Sequence, residues 1–264
     1  MAKRSRISQG EAMGIARGET IGIDLGDRYS DVCVLDDEGK LLKHERIATT
    51  ESDLKALSKR RRGARVVMEV GTHSPWISRV FEKLGHEVVV GNAAVVRRVA
   101  GTKDKSDQID AERLARLGRV DPTILEPIKH RGEEVQRDRA LLRVRDGLVR
   151  ARSALVTQAR GIAKSLGKRL PRCDAQNFAK RMDREEMREL FPGLGTLLEV
   201  VRELSQRITA LDGAIEEVSQ QKYPVTSRLR QITGVGPITA LAYVVTLEDP
   251  KRFRSSRSVG AYLG

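Results

Sequence analysis

Aromatic side chains make up only 3% of these 264 residues, with a single tryptophan. A protein that grips single strands by stacking needs many rings, so any recognition of nucleic acid here leans on phosphate contacts. Cysteine is as scarce. Cys33 and Cys173 stand far apart, which excludes a disulfide framework and a cysteine zinc pattern; both read as small, reduced, partly buried side chains. No run approaches eighteen apolar residues, so no membrane-spanning helix is expected. Residues 1–18 are basic and polar and lack the apolar core of a signal peptide. They read as a disordered start, and the chain is expected in the cytoplasm.

What the chain has in excess is positive charge. Lys and Arg number 49 against 36 Asp and Glu, a formal net charge of +13. That balance argues for a polyanionic partner; the plain alternative is a set of solvated charged helices. The excess is concentrated. Residues 129–172 hold thirteen Lys or Arg against four acids.

The first half has strand texture. Thr20 to Gly26 is a short apolar run. Tyr29 to Asp36 alternates, with Val32 and Val34 on one face and Cys33 and Leu35 on the other. Lys40 to Ile47 returns as a third strand after the turn at Asp37-Glu38-Gly39. A helix over Glu51–Lys59, a buried strand over Ala64–Val70, a helix over Pro75–Leu84 and a strand over Glu87–Val90 follow, then helices near Ala93–Ala100 and Asp107–Leu117. Three strands, helix, strand, helix, strand, helices is the element order of a ribonuclease-H-like α/β fold.

The second half reads as helical. Leu141, Leu148, Leu155 and Ile162 recur every seven residues, with Val144 and Ala151 between them. Leu194, Leu197, Val201, Leu204, Ile208, Leu211, Ile215 and Val218 form a stricter heptad seam. Two long antiparallel helices, packed on each other or on a second copy of the chain, satisfy both; an ordinary bundle is the plainer reading. Arg143, Arg150, Arg152, Arg160 and Lys164 on the first helix are candidates to hold nucleic-acid backbone. Farther on, Gly234 and Gly236 make a tight turn before a helix starting near Pro237, an arrangement resembling a helix-hairpin-helix element. Its backbone N–H groups, with Thr239, are candidates for a phosphate contact; a simple helix–helix turn is the alternative. The division expected is 1–18 disordered, 19–122 catalytic, 123–222 coiled-coil helices, and 223–264 the start of a further domain.

Chemistry concentrates in four acids. Asp24 ends the first strand and Glu69 the fourth, on strands adjacent in the expected fold. Asp107 and Asp110, three apart, share a helix face. Four carboxylates aimed at one point repel unless a cation joins them, and Mg²⁺, with Mn²⁺ as substitute, takes such oxygens and keeps water positions for a phosphate. Each acid also has a structural reading: Asp24 as a turn residue, Asp107 as a cap after Ser106, Asp110 as a first-turn charge. Asp27, Asp31, Asp36 and Asp37 read as solvent-facing or turn residues, and Asp104 as a weaker candidate. His73 reads as structural and Trp76 as core.

These pieces together resemble a known family. Gly22-Ile-Asp-Leu-Gly26, Met68-Glu-Val-Gly-Thr72, Lys105-Ser-Asp-Gln-Ile-Asp-Ala-Glu-Arg-Leu-Ala115, and Gly234-Val-Gly-Pro-Ile-Thr-Ala240 through Arg252-Phe253 to Tyr262-Leu-Gly264 are similar to the DEDD transposases of bacterial insertion sequences, the insertion-sequence-110 family. The resemblance implies that Asp24, Glu69, Asp107 and Asp110 are the family's four acids, in a domain similar to Holliday-junction resolvases. It also implies a coiled coil, a C-terminal domain with a nucleophilic serine, a homo-oligomer (dimer or tetramer), and DNA with a structured non-coding guide RNA as partners. The family's serine lies downstream of the motif that ends at Gly264, so Ser255, Ser256 and Ser258 are not given its role; the expectation is a metal-dependent transposase or recombinase subunit that cleaves and exchanges DNA strands, read here from an apparently truncated element or sequence. A junction-resolving nuclease using water, or a nucleic-acid-binding fragment, are the rival readings.

Overall fold

A computed structural model describes residues 18–100, 107–182 and 190–263. The expected disordered start lies outside the described residues except for Gly18, as do Asp104 and Ser106. The chain divides into two compact units, Met1–His130 and Arg131–Gly264. The expected boundaries near 122 and 222 differ from this division. Ile128 still belongs to the first unit, packing on its core and donating its N–H to Val90 O at 2.9 Å.

The first unit is a five-stranded mixed sheet in the order β3-β2-β1-β4-β5. Its strands are β1 Thr20–Asp24, β2 Tyr29–Leu35, β3 Leu41–Ala48, β4 Arg65–Glu69 and β5 Glu87–Gly91. The first three pair antiparallel, and β4 and β5 join parallel to β1. This α/β topology is consistent with a ribonuclease-H-like fold. Helices α1 Glu51–Arg60, α2 Ser74–Lys83, α3 Ala93–Ala100 and α4 Asp107–Val120 complete it.

Alternation along each strand sends side chains to opposite faces. Ile21, Ile23, Val32, Val34, Val66 and Met68 face α1 and α2, closing a core over Leu54, Leu57, Ile77 and Phe81. The intervening residues face α4, where Cys33, Leu35 and Val67 meet Ala111, Ala115 and Leu114. Burial pushes the Cys33 thiol up to about 12, so it is an inert packing group. Two glycines allow α4 to lie this close. A Cβ on Gly22 would stand 2.0 Å from Ala111 O, and one on Gly118 would stand 2.3 Å from Val67 Cγ2.

The second unit is helical. Helix α5, Glu133–Ser165, packs along the helix Leu194–Lys222 (α7), with the short α6, Phe178–Arg181, on their open end. The pair is antiparallel, since Asp138 meets Lys222, Arg145 meets Asp212 and Arg152 meets Ser205. The α7 heptad splits into two rows. Leu194, Val201, Ile208 and Ile215 are buried, while Leu197, Leu204, Leu211 and Val218 are half-buried. On α5 the expected seam is displaced. Leu148, Leu155 and Ile162 are half-buried and Val144 and Ala151 exposed, whereas Val156, Ala159 and Ala163 are buried. Two alanines in that row let α5 approach Leu194, Leu198, Val201 and Phe178 closely. The segment from 223 shares this unit: helices α8 Thr226–Leu229, α9 Pro237–Leu247 and α10 Ser256–Leu263 follow, and Leu241 and Val245 of α9 pack on Ile215. Among the described residues no helix is long and apolar enough to cross a membrane.

Candidate functional site

The face of the sheet covered by α4 gathers the acids. On β1 that face runs Thr20, Gly22, Asp24, and on β4 it runs Arg65, Val67, Glu69. Asp24 and Glu69 are therefore the last residues of their strands on the α4 side. The buried stripe of α4 is Ala111, Leu114, Ala115 and Gly118. Continued one turn toward its N-terminus, this stripe reaches Asp110 and Asp107. The close packing at Gly22 thus places two helix acids beside two strand-end acids, at the helix end whose partial positive charge favours carboxylates.

The four carboxylates share one electrostatic field. Burial, and then the charges of Asp107, Asp110, Glu69 and Asp31, raise Asp24 to about 6. Burial also raises Glu69, with Asp110 adding to it and the Arg97 guanidinium opposing it. They do not form a closed coordination sphere: among the described residues no three acidic, histidine or cysteine side chains are close enough to hold one ion. Arg46 Nη2 stands 3.4 Å from Asp107 Oδ2, and Arg113 Nη1 stands 3.4 Å from Asp110 Oδ1. A cleft of about 430 Å³ opens between Asp24, Tyr29, Asp31, Arg46 and Asp107. The donor set consists of hard carboxylate oxygens, which fit Mg²⁺ or Mn²⁺ rather than a soft metal.

Two residues of this site escape the sequence reading. Asp31, expected to face solvent or sit in a turn, is only 6% exposed and pairs across the sheet with Asp24. Its signal was present: it shares the face of Cys33 and Leu35, two and four residues on. Arg46 is its partner on β3, and nothing in the sequence marked it. His73 is tied to its neighbours, its Nδ1 accepting from the Trp76 indole N–H at 3.1 Å and its Nε2 lying 3.3 Å from Asp27 Oδ1. Trp76, expected in the core, is half-buried at the core's edge.

The candidate phosphate-binding residues of the second unit divide by exposure. Arg143, Arg150 and Lys164 are exposed, Arg150 beside Asp146 at 3.0 Å. Arg152 and Arg160 turn inward. Arg152 is 8% exposed and bonds Ser205, while Arg160 donates to Cys173 O at 2.6 Å and lies over the Phe178 ring. Both lie on the α5 face that packs against α7 and its flanking segment. Gly234 has a φ of +88°, and Gly236 is the residue before α9. Gly234 and Thr239 are exposed and Gly236 half-buried, with nothing within 4 Å of a Cβ placed on either glycine.

Comparison with known proteins places this geometry. Residues 21–166 match the DEDD model of the IS110 transposases, and residues 226–264 match the model described as "Transposase IS116/IS110/IS902 family". The chain belongs to the IS110 family of transposases. Its relatives include the transposase for insertion sequence element IS1328 of Yersinia enterocolitica, 31% identical over 92% of this chain and 72% of that protein. The transposase for insertion sequence element IS1111A of Coxiella burnetii is 24% identical over 92% of this chain and 67% of its own length. A probable family 20 transposase of Pseudomonas aeruginosa is 29% identical over 75% of this chain, and the match spans 60% of that relative's length. All four acids lie inside the first family match.

Proposed function

We propose that this IS110-family chain acts in DNA transposition as a Mg²⁺-dependent recombinase whose metal is held by Asp24, Glu69, Asp107 and Asp110. The observation that supports this most directly is the field at Asp24, a strand-end carboxylate raised to about 6 by burial and by acids from three other elements. A carboxylate left with that much negative charge around it stands ready for a cation. Bound there, Mg²⁺ would polarise a scissile phosphate and lower the pKa of an attacking oxygen. The chain's own part is to give up the Asp24 proton, to orient Glu69 from β4, and to hold Asp107 and Asp110 on the first turn of α4. Exposed Arg143, Arg150 and Lys164, with the turn at Gly234, Gly236 and Thr239, would grip backbone phosphates of DNA or of a structured guide RNA. The row Leu197, Leu204, Leu211, left half-buried on α7, suits a coiled-coil seam with a second copy.

The test is cleavage of supercoiled and branched DNA by the full chain. Nicking or strand exchange with Mg²⁺, absent with EDTA and reduced at least a hundredfold by Asp24→Asn, is expected. Metal-dependent cleavage undiminished in Asp24→Asn would sink the reading. A second reading, a junction-resolving nuclease using water, is favoured by the location of all four acids in the first unit; nicking without any covalent protein–DNA product would select it.

A further inference from the structure

Asp24, Asp31 and Arg46 are successive cross-strand neighbours on β1, β2 and β3, so their side chains rise on one face of the sheet. Arg46 Nη2 lies 3.3 Å from Oδ2 of the buried Asp31 and 3.4 Å from Oδ2 of Asp107. One guanidinium therefore bridges a sheet acid and a helix acid. Its carbon lies 5.8 Å from the centroid of the exposed Tyr29 ring, at the edge of the cleft. The Arg46 side chain is 58% exposed, so it can leave without opening the core. Both of its contacts are longer than the usual charged hydrogen bond, which fits a loosely held group.

We propose that Arg46 is the resident counter-ion of the carboxylate site. It holds Asp107 toward β3 while no metal is bound and yields to a divalent ion. It then pairs with a phosphate oxygen of the incoming nucleic acid beside that ion. The inference rests on the metal reading above. Its consequence has the opposite sign to that of a ligand. Loss of a ligand weakens metal binding, whereas loss of Arg46 removes a competing positive charge and strengthens it. In addition, a short DNA duplex should tighten metal binding partly through Arg46, since the two ligands then favour the same state of this side chain.

The experiment is a titration of the full chain with Mn²⁺ alone, free ion being read by electron paramagnetic resonance, with melting curves to check each variant's fold. Arg46→Gln is expected to bind Mn²⁺ about tenfold more tightly than wild type. Arg46→Met, which keeps the stem against Tyr29, should do the same, and Arg46→Lys should stay near wild type. A duplex oligonucleotide should tighten Mn²⁺ binding less in Arg46→Gln than in wild type. If Asp24→Asn loses Mn²⁺ while Arg46→Gln and Arg46→Met bind no tighter than wild type, the counter-ion role is wrong and the metal reading stands. If wild type binds no Mn²⁺, or Asp24→Asn binds as wild type does, both are wrong.

Discussion

Asp24 and Asp138 show what each half of this protein does with an acid removed from water. Asp138, on α5, is 6% exposed, and its carboxylate accepts from Lys222 Nζ at 3.1 Å and Tyr223 Oη at 2.8 Å. Asp24 is flanked by four other acids, and its charge is correspondingly disfavoured. Around Asp138 the charge is paired and tethers the two long helices to each other. Around Asp24 it is left in excess, and an unbalanced cluster of this kind marks a functional-site candidate.

This contrast can be broken most forcefully at the paired site. Asp138→Ala removes the acceptor shared by Tyr223 and Lys222, leaving Lys222 its contact with Glu134, and should destabilise the chain by about 2 kcal/mol, read as a lowered denaturant midpoint. Asp24→Asn in metal-free protein should move the other way, by on the order of 1 kcal/mol after allowing for solvent screening. If both variants lose stability, the two aspartates are the same kind of group and the contrast fails.

A second way to sharpen it is pH. Because Asp24 is raised from an ordinary aspartate value near 3.8 to about 6, folded protein keeps a proton that the unfolded chain releases between those values. Metal-free stability should therefore fall as pH rises from about 4 to 6 and level off above. Mn²⁺ affinity should run oppositely, weakening about tenfold per pH unit below 6, because binding must expel that proton. Affinity that stays flat from pH 7 to 5 would remove Asp24 from the ion's ligands. The smallest effect on folding is expected on α7, where Leu204→Asp with Leu211→Asp alters only half-buried positions. Light scattering should show a smaller assembly while the melt barely moves; unchanged mass would make the row an internal one.

The sheet was largely legible in the sequence, because burial on two faces imposes alternation and the strand ends follow from it. Asp24 and Glu69 stood out as acids ending apolar runs, and Asp107 and Asp110 as neighbours on one helix face. Asp31 was missed because an acid early in an alternating strand is usually a solvent-side residue, although its parity with Cys33 and Leu35 puts it on the α4 face. Arg46 could not be read at all, since its role depends on pairing between three strands. The α5 seam was displaced for a related reason. Leucine spacing marks two adjacent rows of a helix, and the small Ala159 and Ala163 decide which row a neighbour can approach.

Gly22 sets a dimension that side-chain substitutions elsewhere in the core cannot easily adjust. With helix backbone resting on strand backbone at that point, the approach of α4 to β1 beside Asp24 is set by backbone contact. Core side chains around it can drift, and the strands flanking it can change their surface residues, while the spacing of the carboxylates is inherited unchanged. A single methyl group at Gly22 would act as a wedge under α4, shifting Asp107 and Asp110 away from Asp24 and Glu69 without altering any acid.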